Sequence, residues 1–313
     1  MTPRKIIIDS DPGQDDAVAI LLALASPELE VLGITAVAGN VPLPLTQLNA
    51  RKTVELAGRK VPVMAGCDRP LSRVLETAEH VHGKTGLNGA DLPEPALPLD
   101  PRHAVDFLID TLRAEAPGTV TLCVLGPQTN IATAFQLAPD IVSRVQEIVL
   151  MGGGFFEGGN ITPAAEFNIY VDPEAADIVL RCGRPITIIP LDCTHSALTT
   201  RARVERFRAM GTRVGEVTAG WLDFFERFDV QKYGSEGGPL HDPCVIAFLL
   251  RPELFGGRLI NVEIETESEL TRGMTVADWW RVTNRPPNAT WIREVNAEGY
   301  FALLAERLGT LQS

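Results

Sequence analysis

Four aspartates, Asp9, Asp11, Asp15 and Asp16, fall within the stretch DSDPGQDD, directly after three isoleucines. Carboxylates this close repel one another and titrate abnormally unless a cation or several hydrogen-bond donors compensate them. Oxygen ligands from the end of a strand and the first turn of a helix suit a hard cation, Ca²⁺ or Mg²⁺. An EF-hand loop is excluded, because counting from Asp9 puts Gln14 where the invariant glycine belongs and Ile20 where the closing glutamate belongs. A purely local reading also exists. Asp11 would be an N-cap, Pro12 a first-turn proline and Gln14 a capping-box partner, with Asp15 and Asp16 at the positive end of the helix dipole. Capping gives no reason for Asp9 to stand two residues before Asp11.

The elements that must position these groups follow from the apolar pattern. Six β-rich runs, at 5–9, 30–37, 61–66, 119–126, 146–152 and 185–192, alternate with helical spacings such as Ala17, Ile20, Leu21, Leu24 and Ala104, Phe107, Leu108, Leu112. Strands apolar throughout and separated by helices predict an α/β fold, a mainly parallel central sheet with helices on both faces. Residues 201–250 read as mainly helical. Segments 258–267, 271–280 and 289–296 resemble antiparallel strands, forming a small annex near the C-terminus, and a last helix fits Ala297 to Leu308. With no internal repeat or linker-like tract, residues 1–313 are expected to form one domain. Open α/β sheets bind ligands at the carboxyl ends of their strands, where the aspartates lie. Two long connections, 67–102 with His80 and His82 and 153–172 with GGGFFEGGNITPAAEFN, are expected to border the site. Gly152 to Gly154 match no phosphate-loop pattern and read as a tight strand exit.

Composition removes several classes of function. A net charge of -12 and a pI near 5.0 oppose binding to a nucleic-acid backbone or an anionic membrane surface. No apolar run approaches the roughly 20 residues of a membrane span, and the N-terminal apolar run is too short for a signal peptide. The five cysteines are odd in number, widely spaced and form no CxxC pair, so they read as reduced, mostly buried thiols of a cytoplasmic protein.

Asp9-Ser-Asp-Pro-Gly-Gln-Asp-Asp-Ala17 resembles the signature of the inosine-uridine-preferring nucleoside hydrolases, ribonucleoside N-ribohydrolases carrying Ca²⁺. The resemblance continues in order through Val37 to Asn40, His82 to Gly86, Leu125 to Asn130, Met151 to Gly154, Asn160 to Asn168, Pro190 to Asp192 and His241-Asp242. The strand ending DSD is also similar to that of haloacid dehalogenase-like phosphatases, but Pro12, Gly13 and the pair Asp15-Asp16 depart from that pattern.

The nucleoside hydrolase resemblance implies a division of roles. Asp11, Asp16, Asp242 and the backbone carbonyl of Leu125 would hold Ca²⁺, and Asp11 would deprotonate a metal-bound water for attack at C1′. Asp15, Asn40, Asn168 and Asp242 would hold the ribose hydroxyls and the water, while Asn160, Glu166 and Met151 would hold the 5′ side. His82 and His241 would face the base, His241 protonating or polarising it as it leaves. Carboxylates below the ring suit an oxocarbenium-like transition state. The residue-level alternatives are a Mg²⁺-dependent phosphatase with Asp9 as nucleophile and a non-enzymatic Ca²⁺-dependent ribose- or nucleoside-binding protein. Family habit implies a homo-oligomer, dimer or tetramer. His195 reads as a structural histidine, Trp279 and Trp280 as core or interface aromatics, and Tyr233 falls on the stretch 221–233 expected to line the base pocket. Purine or pyrimidine preference stays open.

Overall fold

Runs of Ile, Val and Leu favour extended backbone where both faces of a sheet are covered, and they set the frame here. The computed structural model describes residues 2–311, with the side chains of Phe228, Asp229, Lys232 and Tyr233 outside that description. The expectation placed on Tyr233 therefore lies outside the described side chains. The strands are β1 (Arg4–Ser10), β2 (Leu29–Ala36), β3 (Val63–Ala65), β4 (Val120–Val124), β5 (Val145–Met151), β6 (Ile186–Ile189), β7 (Phe255–Ile260), β8 (Val262–Ile264), β9 (Thr275–Ala277) and β10 (Ala289–Val295). The first six match the six predicted runs. One eight-stranded sheet has the order β3-β2-β1-β4-β5-β6-β10-β7, parallel except where β10 meets β7. From β1 the chain winds outward to β3 and then returns to β4, so the order reverses between β1 and β4. A crevice opens at such a reversal, and the aspartates follow directly on β1.

The C-terminal segments divide differently from a single annex. β10 pairs parallel with β6 through Thr290 and Trp291 and antiparallel with β7, so both belong to the main sheet. Only β8 and β9 form a separate antiparallel ribbon. Burial explains the choice: Ala289 and Trp291 of β10 are fully enclosed, which an exposed hairpin could not provide.

Strand pleating sends successive side chains to opposite faces. Ile6 and Ile8 pack into one core layer with the helices Gln14–Leu24, Leu43–Leu56, Pro243–Leu250 and Ala297–Leu308. Ile7 packs into the other, with the helices Ala104–Ala114, Thr129–Leu137 and Pro173–Leu180. The helix Gln14–Leu24 is buried on every side, and all its residues are enclosed. Its start differs from the local expectation. Gly13 is the N-cap, its N–H donating to Asp16 Oδ2 at 2.9 Å, so Asp16 takes the capping role given to Gln14, and Asp11 is not the cap. Gln14 instead reaches across to the first long connection, its Nε2 donating to the carbonyls of His82 and Asn88.

Candidate active site

The same alternation splits the four aspartates. Asp9 shares the face of Ile7, where its Oδ2 accepts from Thr35 Oγ1 at 2.6 Å and Asn130 Nδ2 at 2.8 Å. Burial raises its carboxyl to about 7. Ser10 turns to the opposite face and donates to Asp16 Oδ1 at 2.6 Å. Beyond the strand end, Asp11 is fully buried, with Oδ2 accepting the Asn40 N–H at 2.7 Å and Oδ1 without a protein partner. Two glycines make room for it. A Cβ at Gly39 would stand 2.0 Å from Asp11 Oδ2, and one at Gly126 would stand 2.3 Å from Oδ1.

Asp15 and Asp16, on the first turn of the helix Gln14–Leu24, meet Asp242 at the start of the helix Pro243–Leu250. One carboxylate oxygen from each lies within 4.8 Å of the others. Asp242 makes no side-chain cap bond, so its carboxylate is not engaged in ending that helix. Burial is the main cause raising all four carboxyls, Asp11, Asp15, Asp16 and Asp242. Asp15 reaches about 7, with Asp16's charge as the second cause. Asp11 and Asp242 stand well above the ordinary carboxylate range, each pushed further by neighbouring aspartates. Among the described residues no Lys or Arg forms an ion pair with any of them. Hard, anionic oxygen donors crowded together, with Asp11 Oδ1 and Asp15 Oδ1 buried and unpartnered, fit a divalent cation and fit little else.

Above this layer lies a cavity of about 560 Å³, whose floor includes Asp15, Asn40, Leu125 and Asp242. Asp11 and Asp16 sit beneath the lining at 0% exposure. Asn40 joins the two levels, its Nδ2 donating to Asp11 O at 3.2 Å and Asp16 Oδ2 at 3.1 Å. Asn168 Nδ2 donates to Leu125 O at 2.7 Å and to Met151 O at 3.3 Å, tying the ends of β4 and β5 together. Glu166 lines the cavity and caps the short helix Phe167–Val171, accepting from the N–H groups of Gly153, Asn168 and Ile169. Burial pushes it up to about 7 despite those donors. Asn160 Oδ1 accepts the Phe167 N–H at 2.9 Å, leaving Nδ2 as the amide donor for a ligand.

The other wall is aromatic. Phe225 lies 5.6 Å from His82 and 6.4 Å, edge-on, from His241. His82 Nδ1 pairs with Gln14 Oε1 at 2.8 Å. Because Gln14 Nε2 is already committed to two carbonyls, the imidazole donates from Nδ1 and presents Nε2 as an acceptor. Burial lowers His82 to about 3, and burial with His195 and His82 lowers His241 well below its ordinary range. Both rings are neutral at pH 7. His241 Nδ1 meets Thr194 Oγ1 at 2.7 Å.

The structure thus brings together at one cavity the residues that the resemblance assigned to metal and substrate, with Asp11 and Asp16 directly below it, while Asp9 faces away from it. The tight carboxylate triad is Asp15, Asp16 and Asp242, and Asp11 stands beside it with one oxygen held by the Asn40 amide. One detail differs from the expectation. His195 also lines the cavity, with Nδ1 3.5 Å from Glu157 Oε2, instead of serving only the core. Trp279 is buried, whereas Trp280 is 68% exposed. Sequence reasoning gave Gln14 only a local capping role, covered Phe225 and Glu157 only as members of stretches expected near the site, and assigned nothing to Thr194.

A buried carboxylate layer suited to a cation, beneath a partly aromatic cavity at the switch point of a mainly parallel sheet, makes a small-molecule site of the kind open α/β sheets carry. The family model of the inosine-uridine preferring nucleoside hydrolases matches residues 6–302, and the chain belongs to that family. It is 50% identical to the pyrimidine-specific ribonucleoside hydrolase RihA of Photobacterium profundum, covering 97% of this chain and 98% of that protein. Its fold superposes on the purine-preferring ribonucleoside hydrolase of Gardnerella vaginalis with a TM-score of 0.92 at 32% identity, over 98% and 99% of the two chains. A plant nucleoside hydrolase gives 0.91 at 33% identity over the same shares. The protein is a ribonucleoside-hydrolysing N-glycosidase.

Proposed function

We propose that this protein hydrolyses pyrimidine ribonucleosides to ribose and free base, with Ca²⁺ as its divalent ion. The observation that carries the reading is the set of buried aspartates, with no Lys or Arg paired to them among the described residues, beneath a nucleoside-sized cavity. The pyrimidine preference rests on RihA relatives at 47–50% identity along nearly the whole chain. When bound by Asp11, Asp16, Asp242 and the Leu125 carbonyl, with Asp15 in reach, the ion supplies diol binding and acidification of a water. Asp11 Oδ1 accepts the proton of the attacking water, since its other oxygen is occupied by the Asn40 amide. Asp15, Asn40, Asn168 and Asp242 orient the 2′- and 3′-hydroxyls. Asn160 Nδ2 donates to the 5′-hydroxyl, and Glu166 and Met151 close that end. The carboxylates stabilise positive charge as the glycosidic bond breaks. In the tautomer that accepts the Thr194 hydroxyl at Nδ1, neutral His241 carries its proton on Nε2 and directs it at the base.

The phosphatase alternative loses its support, because Asp9 is 1% exposed, faces Thr35 and Asn130 and does not line the cavity. We further read the chain as a single catalytic domain and a cytoplasmic homo-oligomer; light scattering of the purified protein tests the oligomer. Its five cysteines are free thiols, and among the described residues no helix is long and apolar enough to cross a membrane. The deciding experiment is ribose release from uridine, cytidine, inosine and guanosine, with chelator and then with added Ca²⁺ or Mg²⁺. Faster turnover of purines would overturn the base preference, and full activity in chelator would overturn the role of the ion.

A further inference from the structure

Asp192 has no place in the chemistry described above, yet its carboxylate is among the most heavily engaged in the protein. It stands one residue into the short helix Leu191–Thr194, directly after β6, at 7% exposure. Its Oδ1 accepts three successive backbone N–H groups, those of Phe155 at 3.1 Å, Phe156 at 2.9 Å and Glu157 at 2.9 Å. Its Oδ2 accepts Trp291 Nε1 of β10 at 2.9 Å. Consecutive N–H groups converging on one anion form a nest, and charge-assisted bonds of this kind are about twice as strong as neutral ones.

The loop held in this way carries cavity residues. Gly152 to Gly154 leave β5, Phe155 to Glu157 bind Asp192, and Glu157, Gly159, Asn160 and Ile161 then line the cavity. The return is tightly bound: Gly159 N–H donates to Pro163 O, and Asn160 accepts from Phe167. Three residues beyond Asp192, His195 meets Glu157 across the rim at 3.5 Å. The same segment therefore grips the loop twice.

We propose that Asp192 is a positioning residue for the 5′ side of the nucleoside site, fixing the 155–161 loop so that Asn160 meets the substrate. The proposal rests on the nucleoside reading of the cavity and adds to it a residue that touches no substrate. Asp192→Asn preserves shape but turns an amide N–H towards either the loop amides or Trp291 Nε1, all of which are donors.

The experiment compares wild type and Asp192→Asn on uridine and 5′-deoxyuridine, and records hydrogen exchange at the amides of residues 155–157. The expected result is a KM for uridine raised about tenfold or more with a smaller change in kcat, as loss of a charge-assisted network predicts. The preference for uridine over 5′-deoxyuridine should collapse towards one, and the three amides should exchange faster. Wild-type KM and 5′ preference in the variant overturn the proposal, as does a loss confined to kcat. Equal turnover of the two substrates by the wild type would sink the Asn160 assignment separately. The uridine KM and amide exchange then decide for Asp192, and unchanged values overturn it.

Discussion

Removing one carboxylate from the aspartate layer should stabilise the metal-free protein, and the size of the effect should depend on pH. Asp15 has its carboxyl raised from 3.8 to about 7, mainly by burial and then by Asp16. Its folded value lies above its unfolded one, so its contribution is full at low pH, declines as pH rises from about 4 and is gone above about 7. A rise from 3.8 to about 7, at about 1.4 kcal/mol for each tenfold, gives about 4 kcal/mol. In chelator, urea unfolding of wild type and Asp15→Asn at pH 4, 5, 6, 7 and 8 should show the stability difference moving by about 4 kcal/mol in favour of the variant. Saturating Ca²⁺ at about 100 times its dissociation constant should return about 2.7 kcal/mol to the wild type at pH 8. A stability difference that does not change with pH, or a wild type indifferent to Ca²⁺, Mg²⁺ and chelator, would refute the account of an electrostatically strained cation site.

Other consequences are directly measurable. Asp16→Ala should lower kcat/KM for uridine by about 10³-fold or more, since it removes a ligand and also the acceptor that Ser10, Gly13 and Asn40 share; initial rates check it. 2′-Deoxyuridine should be poorer than uridine by about 10⁴-fold, because a site built around a hydroxyl leaves its own groups unpaired without it. His241→Ala should reduce kcat by about 10² to 10³ with KM nearly unchanged, and a substrate with a well-activated leaving group should recover most of the loss.

Much of this architecture was legible because the signals were local. Each of the first six strands is a bounded apolar run, and the last helix, Ala297–Leu308, announces itself by spacing. The aspartate layer could be found because Asp11, Asp15 and Asp16 are neighbours in sequence. Its division by face follows from pleating, which puts Asp9 with Ile7 and away from the cluster. What stayed hidden depended on distant partners. The cap at Gly13 was missed because Gln14 is drawn to a loop 68 residues away. Asp192 bonds residues up to 37 positions before it and Trp291, 99 positions after. The insertion of β10 beside β6 depends on tertiary burial of Trp291, which no local pattern specifies.

Gly39 and Gly126 press their bare α-carbons against the two oxygens of Asp11, and no other amino acid fits at either position without displacing that carboxylate. Catalytic competence here is therefore guarded by two positions that contribute no functional group. In a library of random variants, inactive clones should accumulate at these silent contacts as readily as at the aspartates. A scan confined to polar side chains would overlook half of what makes the acid usable.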